Sequence, residues 1–471
     1  MNPADTNQVC SAKIDASCRV PLLALFGGAA LWLVLGLVFA IIASITFHKP
    51  DNIFAGCSCL TYGHTQAVAN DLLVYGFAIP AALGVILWIF ARLSQTELEL
   101  PLVPVVAANL WHLGVFCGVA TILGGGSSGY TWLEFPRVSA ALLGVSFVLI
   151  AISAVATFAQ RQERELYPSH WFLLAALLWF PWIYSTANLF LVTTHPVRGV
   201  TQAVINWWYA DNLIFVWLAL VGLGAAFYFI PKISGQPLKS RFYALFAFWT
   251  LIVFGTWIGI PGGAPVPAWL PVTSQFASLM FIIPILAVAI VLVKTLCGTK
   301  VCSFGETYCY MRFGSVMFLL SALMLMALNR PGHGKILEFT WFGQAQMQLQ
   351  ILGFATMILC GAINEILPRM MGTELPFKKF PQAQFFCSAG GVVIFVITLA
   401  IAGVLQGRAV YDPAAAKIPL MISTTGLLLL LIGSGMMLVN IFVMTIKWKI
   451  ALAKTVYAAV TAPLENSEVK P

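Results

Sequence analysis

The chain has 471 residues, of which 60% are hydrophobic and 9% are charged, and its formal net charge at pH 7 is +8. Its mean hydropathy is +0.91. A soluble domain carries about 25% charged residues because its surface must be solvated. The composition therefore excludes a soluble globular protein and predicts a chain that lies largely against membrane lipid. No cluster of basic residues is interleaved with aromatic ones, which argues against a nucleic-acid partner.

Apolar runs long enough to cross a bilayer, which takes about 20 residues, recur along the chain between Pro, Gly and charged residues. They predict an all-α membrane protein, a bundle of about twelve transmembrane helices, at 20–47, 67–93, 103–123, 138–159, 170–193, 206–230, 242–260, 271–293, 313–328, 342–367, 385–405 and 421–446. The predicted organisation is an N-terminal segment 1–19, a transmembrane domain 20–446 and a C-terminal tail 447–471.

The basic residues indicate how the bundle is oriented. When the connecting segments are assigned alternately to two sides, 18 of the 25 Lys and Arg residues fall on the side of both termini and seven on the other. Because cytoplasmic loops carry the excess of Lys and Arg, we expect a multi-pass protein of the inner membrane with both termini in the cytoplasm. Cys57 and Cys59 then face outward, and their spacing favours plain loop thiols over a disulfide with each other or with a partner.

Ionisable residues inside membrane helices are energetically costly and are therefore the first candidates for function. In chain order they are His64, Asp71, His112, Asp211 and Glu365. Two of them have a simpler interpretation. His112 is expected to be a hydrogen-bonded core histidine, and Glu365 is expected to pair with the nearby Arg369.

Residues 205–232, with the sequence INWWYADNLIFVWLALVGLGAAFYFIPK, resemble the sixth helix of subunit I of the C-family (cbb3-type) heme-copper oxidases. In that family a Trp-Trp-Tyr-Gly-His-Asn run opens the helix and a Tyr-Phe-x-Pro-Lys run closes it. The likeness continues at 248–249 (FW), at 257–259 (WIG) and at 362–369 (AINEILPR). Residues 63–68 (GHTQAV) are similar to the family's Leu-His-Thr-Asn-Ala-Val.

This resemblance implies a twelve-helix bundle that holds a low-spin heme, a high-spin heme and a copper ion, ligated in the family almost wholly by imidazole. Of the six ligand positions, only the low-spin heme position on helix two keeps a histidine, His64. The other five hold Asp211, Pro261, Gly262, Gln346 and Gln348. The first three of these positions correspond to the copper ligands, and the last two to a His-x-His pair that supplies one axial ligand to each heme.

A proline and a glycine offer no side-chain donor, so the sequence predicts no copper site and no reduction of dioxygen or nitric oxide at a heme–copper pair. The side chains of Gln344, Gln346 and Gln348 follow in steps of two and fan around more than one face of a helix. We expect some of these amides to face the vacated heme cavity and to bond one another, Asp211 or water.

Three hypotheses follow. The first is a pseudoenzyme without metal or heme, a scaffold subunit of a respiratory or electron-transfer complex that contacts lipid and a catalytic paralogue or c-type cytochromes. The second is an oxidoreductase subunit that binds one low-spin heme b between His64 and Met347, since His/Met ligation is common in cytochromes. The third is a channel or transporter that uses the vacated cavity, with Asp211 as a cation site.

Overall fold

The computed structural model describes residues 3–54, 56–193, 195–296, 305–330, 334–408 and 413–461. Within these ranges the long elements are twelve helices, and no strand is present. Their bounds are α1 Pro3–His48, α2 Tyr62–Ser94, α3 Leu102–Leu123, α4 Arg137–Ala159, α5 Pro168–Val192, α6 Val200–Ser234, α7 Arg241–Gly255, α8 Trp269–Thr295, α9 Glu306–Leu328, α10 Trp341–Met371, α11 Phe380–Arg408 and α12 Lys417–Thr461.

Eleven of these helices are long and apolar enough to cross a membrane, while α7, with 15 residues, is shorter. The twelve-helix, all-α membrane fold expected from the apolar runs is therefore confirmed. Helices α1 and α12 continue without a break through residues 20 and 446, so the three-part division of the chain stays a prediction.

Helix α1 begins at Pro3 rather than at residue 20, and helix α12 ends at Thr461 rather than at residue 446. Two further predicted bounds are wrong within the bundle. Helix α7 ends at Gly255 rather than at residue 260, because Gly259 has a φ of +110° and Pro261 follows it, and neither residue continues an α-helix there. Helix α9 begins at Glu306 rather than at residue 313, so it is a full 23-residue helix. Its polar first turns are stabilised by packing, since Tyr310 is fully buried and its hydroxyl donates to the carbonyl of Pro381 at 3.2 Å.

Helices α2, α6 and α10 form the centre of the bundle. The most apolar window of α2 and of α6 is completely buried and that of α10 is 89% buried, whereas the other eight long spans are 39–50% buried. The three helices also contact one another. A helix that is apolar all round is stable only when it is enclosed, so the remaining helices form an outer ring with one face left for lipid.

Each central helix changes from α-helical to π-helical geometry directly after a buried polar residue. The π-helical segments are Leu72–Ala78, Asn212–Trp217 and Leu349–Thr356, and they follow Asp71, Asp211 and Gln348. These polar residues lie ten, twelve and eight residues into their helices, at similar distances from the starts of the helices. Because π-helical segments in α-helices frequently mark functional sites, these positions are the natural place to search for one.

Two glycines allow α11 and α12 to pack closely. A Cβ atom at Gly391 would lie 2.7 Å from the carbonyl oxygen of Gly426, and a Cβ atom at Gly426 would lie 2.7 Å from the carbonyl oxygen of Gly391. Small residues at such contacts let membrane helices approach until their backbones touch. The neighbouring Gly390 has open space where its Cβ would be.

We expect Gly391→Ala to lower the stability of the protein by about 1–3 kcal/mol, since overpacking forces the two backbones apart. Gly390→Ala is the matched control, because the same methyl group one residue away meets nothing and also improves helix propensity. Thermal unfolding of the detergent-solubilised variants measures the difference. Equal melting temperatures for the two variants would show that the α11–α12 contact does not depend on Gly391.

Candidate functional site

A cavity of about 750 Å³ lies at the end of the bundle where α2, α6 and α10 begin. The last turn of α9 and the α3–α4, α7–α8 and α9–α10 loops complete its walls. We call it the outer cavity. The residues that define it include Phe47, Tyr62, Gln66, Asn70, Trp132, Glu134, Asn206, Trp207, Asp211, Pro261, Glu338, Phe339, Trp341, Gln344, Gln346 and Met347.

A pair of buried carboxyl groups lies at one wall of the outer cavity. Glu134, in the α3–α4 loop, is 6% exposed, and its Oε2 has no hydrogen-bond partner among the described residues. Asp71 of α2 lies beside it and is fully buried, so that the two carboxyl groups are within hydrogen-bond reach of each other. Burial raises the pKa of Glu134 from 4.5 to about 7.

The loop that carries Glu134 is anchored to α2 by a tyrosine. The hydroxyl of Tyr75 donates to the carbonyl of Trp132 at 2.7 Å, and it also bonds the hydroxyl of Tyr209 of α6. Trp132 itself has a φ of +66°, a left-handed conformation that is rare for a bulky residue. Such a conformation persists only where the surroundings enforce it, and strained residues of this kind cluster at functional sites.

Glu134 was not among the ionisable candidates predicted from the sequence. It lies between the predicted helices at 103–123 and 138–159, outside every predicted span. The signal that could have found it is its position in the short apolar stretch Trp132-Leu133-Glu134-Phe135, since a carboxylate flanked by large apolar residues is usually buried only for a reason.

Asp211 of α6 is 7% exposed and packs directly against the α7–α8 loop. A Cβ atom at Gly259 would lie 2.7 Å from its Oδ2, so only glycine allows the loop to pass this carboxylate. Further along the loop, the N–H of Gly262 donates to Oε1 of Glu338 at 2.8 Å. Pro261 lines the outer cavity beside Asp211. The three positions that the resemblance aligns with copper ligands therefore hold one buried carboxylate, a partly buried proline and an exposed glycine.

The glutamine side chains at the start of α10 line two different cavities. Gln344 and Gln346 line the outer cavity, and Gln348 lines a smaller cavity of about 60 Å³ beside it, which Gln344 also reaches. The amide of Gln346 donates to the carbonyl of Ser321 in α9 at 3.4 Å rather than to another glutamine or Asp211. Oε1 of Gln348 has no partner among the described residues.

His64 lies in the first turn of α2, and it does not line the outer cavity, although Gly63 and Met347 do. Its Nδ1 is 3.1 Å from the carbonyl oxygen of Ser58 in the preceding loop. Its Nε2 lies 4.0 Å from the place that a Cβ atom of Gly125 would take. In this arrangement the structure does not bring His64 and Met347 together at one site, and a heme between them stays a prediction.

The remaining candidates have structural roles. His112 accepts a hydrogen bond from Nε1 of Trp32 at 3.2 Å and contacts the carbonyl of Ala24 at 3.1 Å, as expected of a core histidine. Glu365 forms an ion pair with Arg369 one helical turn away, which confirms the expected local pair. Cys57 and Cys59 are exposed free thiols. Among the residues described, no cluster of three or more His, Cys, Asp or Glu side chains could hold a metal ion.

We expect Glu134→Gln to reduce the dependence of stability on pH. Since the pKa of Glu134 is about 7 when folded and near 4.5 otherwise, its contribution is fully present below pH 4.5 and is lost as pH rises through 7. The loss is at most about 3 kcal/mol. Thermal unfolding between about pH 5 and about pH 8 measures it. The control is Asp51→Asn, which removes an exposed carboxylate and should keep the wild-type slope; identical slopes for both variants would contradict the assignment.

The chain was compared with known proteins. A family model described as "Cytochrome C and Quinol oxidase polypeptide I" matches residues 20–424. Cytochrome c oxidase subunit 1 of Rhodobacter capsulatus is 23% identical over 92% of this chain and 86% of that protein. The cbb3-type cytochrome c oxidase subunit CcoN1 of Stutzerimonas stutzeri is 22% identical over 75% of this chain and 77% of its own.

The fold also has a counterpart among solved structures. A chain of a heme-copper terminal oxidase dimer determined by cryo-EM superposes with a TM-score of 0.71 over 93% of this chain and 84% of that chain, at 13% identity. At that identity the likeness shows the fold alone. Together with the match over residues 20–424, these findings show that the chain belongs to the cytochrome c and quinol oxidase polypeptide I family, as a divergent, subunit I-like member.

Proposed function

We propose that this protein is a non-catalytic member of its family that acts as a membrane scaffold subunit of a respiratory or electron-transfer complex. The observation that carries the proposal is the α7–α8 loop at the positions that correspond to copper ligands. Pro261 and Gly262 have no donor side chain, and the N–H of Gly262 is bound by Glu338. Pro261 is partly buried and Gly262 is exposed, and neither position can supply an imidazole ligand.

The electron-transfer centre of the family needs nitrogen donors at fixed positions, and this chain has a different set. Gln346 bonds the neighbouring helix, Gln348 faces the smaller cavity, and neither amide is a good ligand for heme iron. A copper ion whose three nitrogen donors are all missing has no site of the kind its chemistry prefers. The residues present do not fit a heme–copper pair, so we derive no step through one.

What the chain keeps is the bundle and its outer surface. The peripheral helices leave an apolar face uncovered, as a protein that contacts lipid and other membrane subunits requires. The related proteins described above are themselves named as oxidase subunits. The partners that we propose are a catalytic paralogue or c-type cytochrome subunits, in an inner membrane with both termini of this chain in the cytoplasm.

We expect the protein purified alone to contain far less than one heme and one copper ion per chain, because its donor set fits neither. A pyridine-hemochrome assay and metal analysis measure this. In native membranes, the tagged chain should co-purify with heme-bearing subunits, and deletion of the chain should lower the amount of that assembled complex while its heme spectrum stays unchanged.

A different result would favour the single-heme hypothesis. If the chain purified alone carries one low-spin heme whose Soret band is lost in His64→Ala and altered in Met347→Leu, the protein is a heme-binding electron carrier and the scaffold proposal is wrong. The two variants separate axial ligation from general loss of structure, because Met347→Leu keeps the size of the side chain and removes only the sulfur.

A further inference from the structure

The outer cavity has a size that a scaffold does not need. Its volume of about 750 Å³ lies within the range of about 300–1,000 Å³ that is typical of small-molecule sites. Its rim includes Gly63, Thr131 and Phe339, which are exposed, so the space is reached from the surface of the bundle. A ligand in this cavity would be a function separate from the proposed scaffold function.

The ionisable side chains that line the outer cavity are acidic. Three carboxylates line it, on Glu134, Asp211 and Glu338, and none of its described lining residues is Lys, Arg or His. Two of the three carboxylates are more than nine-tenths buried, Glu134 at 6% and Asp211 at 7% exposure. Buried carboxylates with no cation beside them are costly, so an occupant of positive charge would stabilise the site.

The hydrogen-bonding groups of the cavity are also unbalanced. The acceptors Glu134 Oε2 and Asn206 Oδ1, both at the cavity wall, have no donor within the described residues. Among the described residues of the cavity wall, one buried donor, Nε1 of Trp132, has no hydrogen-bond partner. Acceptors therefore exceed donors, and the complementary ligand is one that carries several N–H groups.

The remaining wall is aromatic. The ring centroids of Trp207 and Phe339 lie 6.4 Å apart. The ring centroid of Phe47 lies 5.4 Å from those of Tyr62 and Trp341. Aromatic faces attract organic cations, whereas Ca²⁺ and Mg²⁺ require a shell of six or more oxygen ligands. The combination of aromatic walls with separated carboxylates favours an organic cation over a metal ion.

We propose that the outer cavity is a binding site for a small organic ammonium ion, held by the carboxylates of Asp211 and Glu134 and enclosed by the aromatic side chains at its walls. The N–H groups of the ammonium would donate to Glu134 and Asn206, and its apolar part would lie against Trp207 and Phe339. Nε1 of Trp132 would donate to any oxygen that the ligand carries.

The test uses the full chain in lipid nanodiscs at about pH 8, where Glu134 is ionised. The probe is phenethylammonium, and 2-phenylethanol is its neutral counterpart of nearly the same shape. Calorimetric titration should show binding of the ammonium and none, or much weaker binding, of the alcohol. Asp211→Asn and Glu134→Gln should each weaken binding by about tenfold, as the loss of a charged hydrogen-bond acceptor does, while Asp51→Asn should have no effect.

Three outcomes would overturn the proposal. The first is binding of the alcohol as tight as that of the ammonium. The second is an equal effect of Asp51→Asn and Asp211→Asn on the affinity for the ammonium. The third is displacement of the ammonium by CaCl₂ that binds more tightly, which would make the cavity a metal site. Absence of binding up to about 10 mM probe would also reject it. If Asp211→Asn fails to fold, Glu134→Gln carries the test, because its melting temperature without ligand is measured separately. Co-purification with partner subunits is unaffected by all of these results.

Discussion

Helices α2, α6 and α10 are enclosed by other helices along almost their whole apolar length, so every polar side chain on them must find a partner inside the protein or face a cavity. Asp71, Asp211 and Gln348 are the tenth, twelfth and eighth residues of these helices, and each stands where the helix turns π-helical. The wider turn changes the direction of the residues that follow it, which lets the polar group face inward while the next residues keep the apolar packing. Of the three, Asp211 lines the outer cavity, whereas Asp71 lies behind Glu134 and Gln348 lines the smaller cavity.

The same constraint explains how the α7–α8 loop lies in the structure. Because Asp211 is buried, it requires a close neighbour, and the loop passes so near that only a glycine fits at position 259. The loop then continues to Gly262, whose N–H is bound by Glu338 from the α9–α10 loop. Two connections between helices are thus joined by a hydrogen bond at a place where the resemblance to heme-copper oxidases implies metal ligands. The scaffold proposal rests on these contacts, which stand where metal ligands are expected.

The two proposals concern different parts of the molecule. The scaffold function depends on the outer ring of helices and on what the central layer lacks. The ammonium site depends on what that layer holds, namely Glu134, Asp211 and the aromatic side chains around them. Of the aligned ligand positions only Asp211 carries a carboxylate, and Glu134 and Glu338 supply the rest of the acidic lining of the outer cavity. Either proposal can fail without the other.

The sequence by itself determined the number of helices, their order and eleven of the spans, because the length of an apolar run is a local property that membrane thickness selects directly. It also indicated Asp211, the Glu365–Arg369 pair and the layer to which the ligand positions belong. It did not determine the end of α7, the burial of Glu134 or the direction of His64. Each of these depends on neighbours that are distant in the chain: Asp211 against Gly259, Asp71 against Glu134, and Ser58 and Gly125 around His64. Side-chain direction is decided by packing between helices, and only the tertiary structure contains that packing.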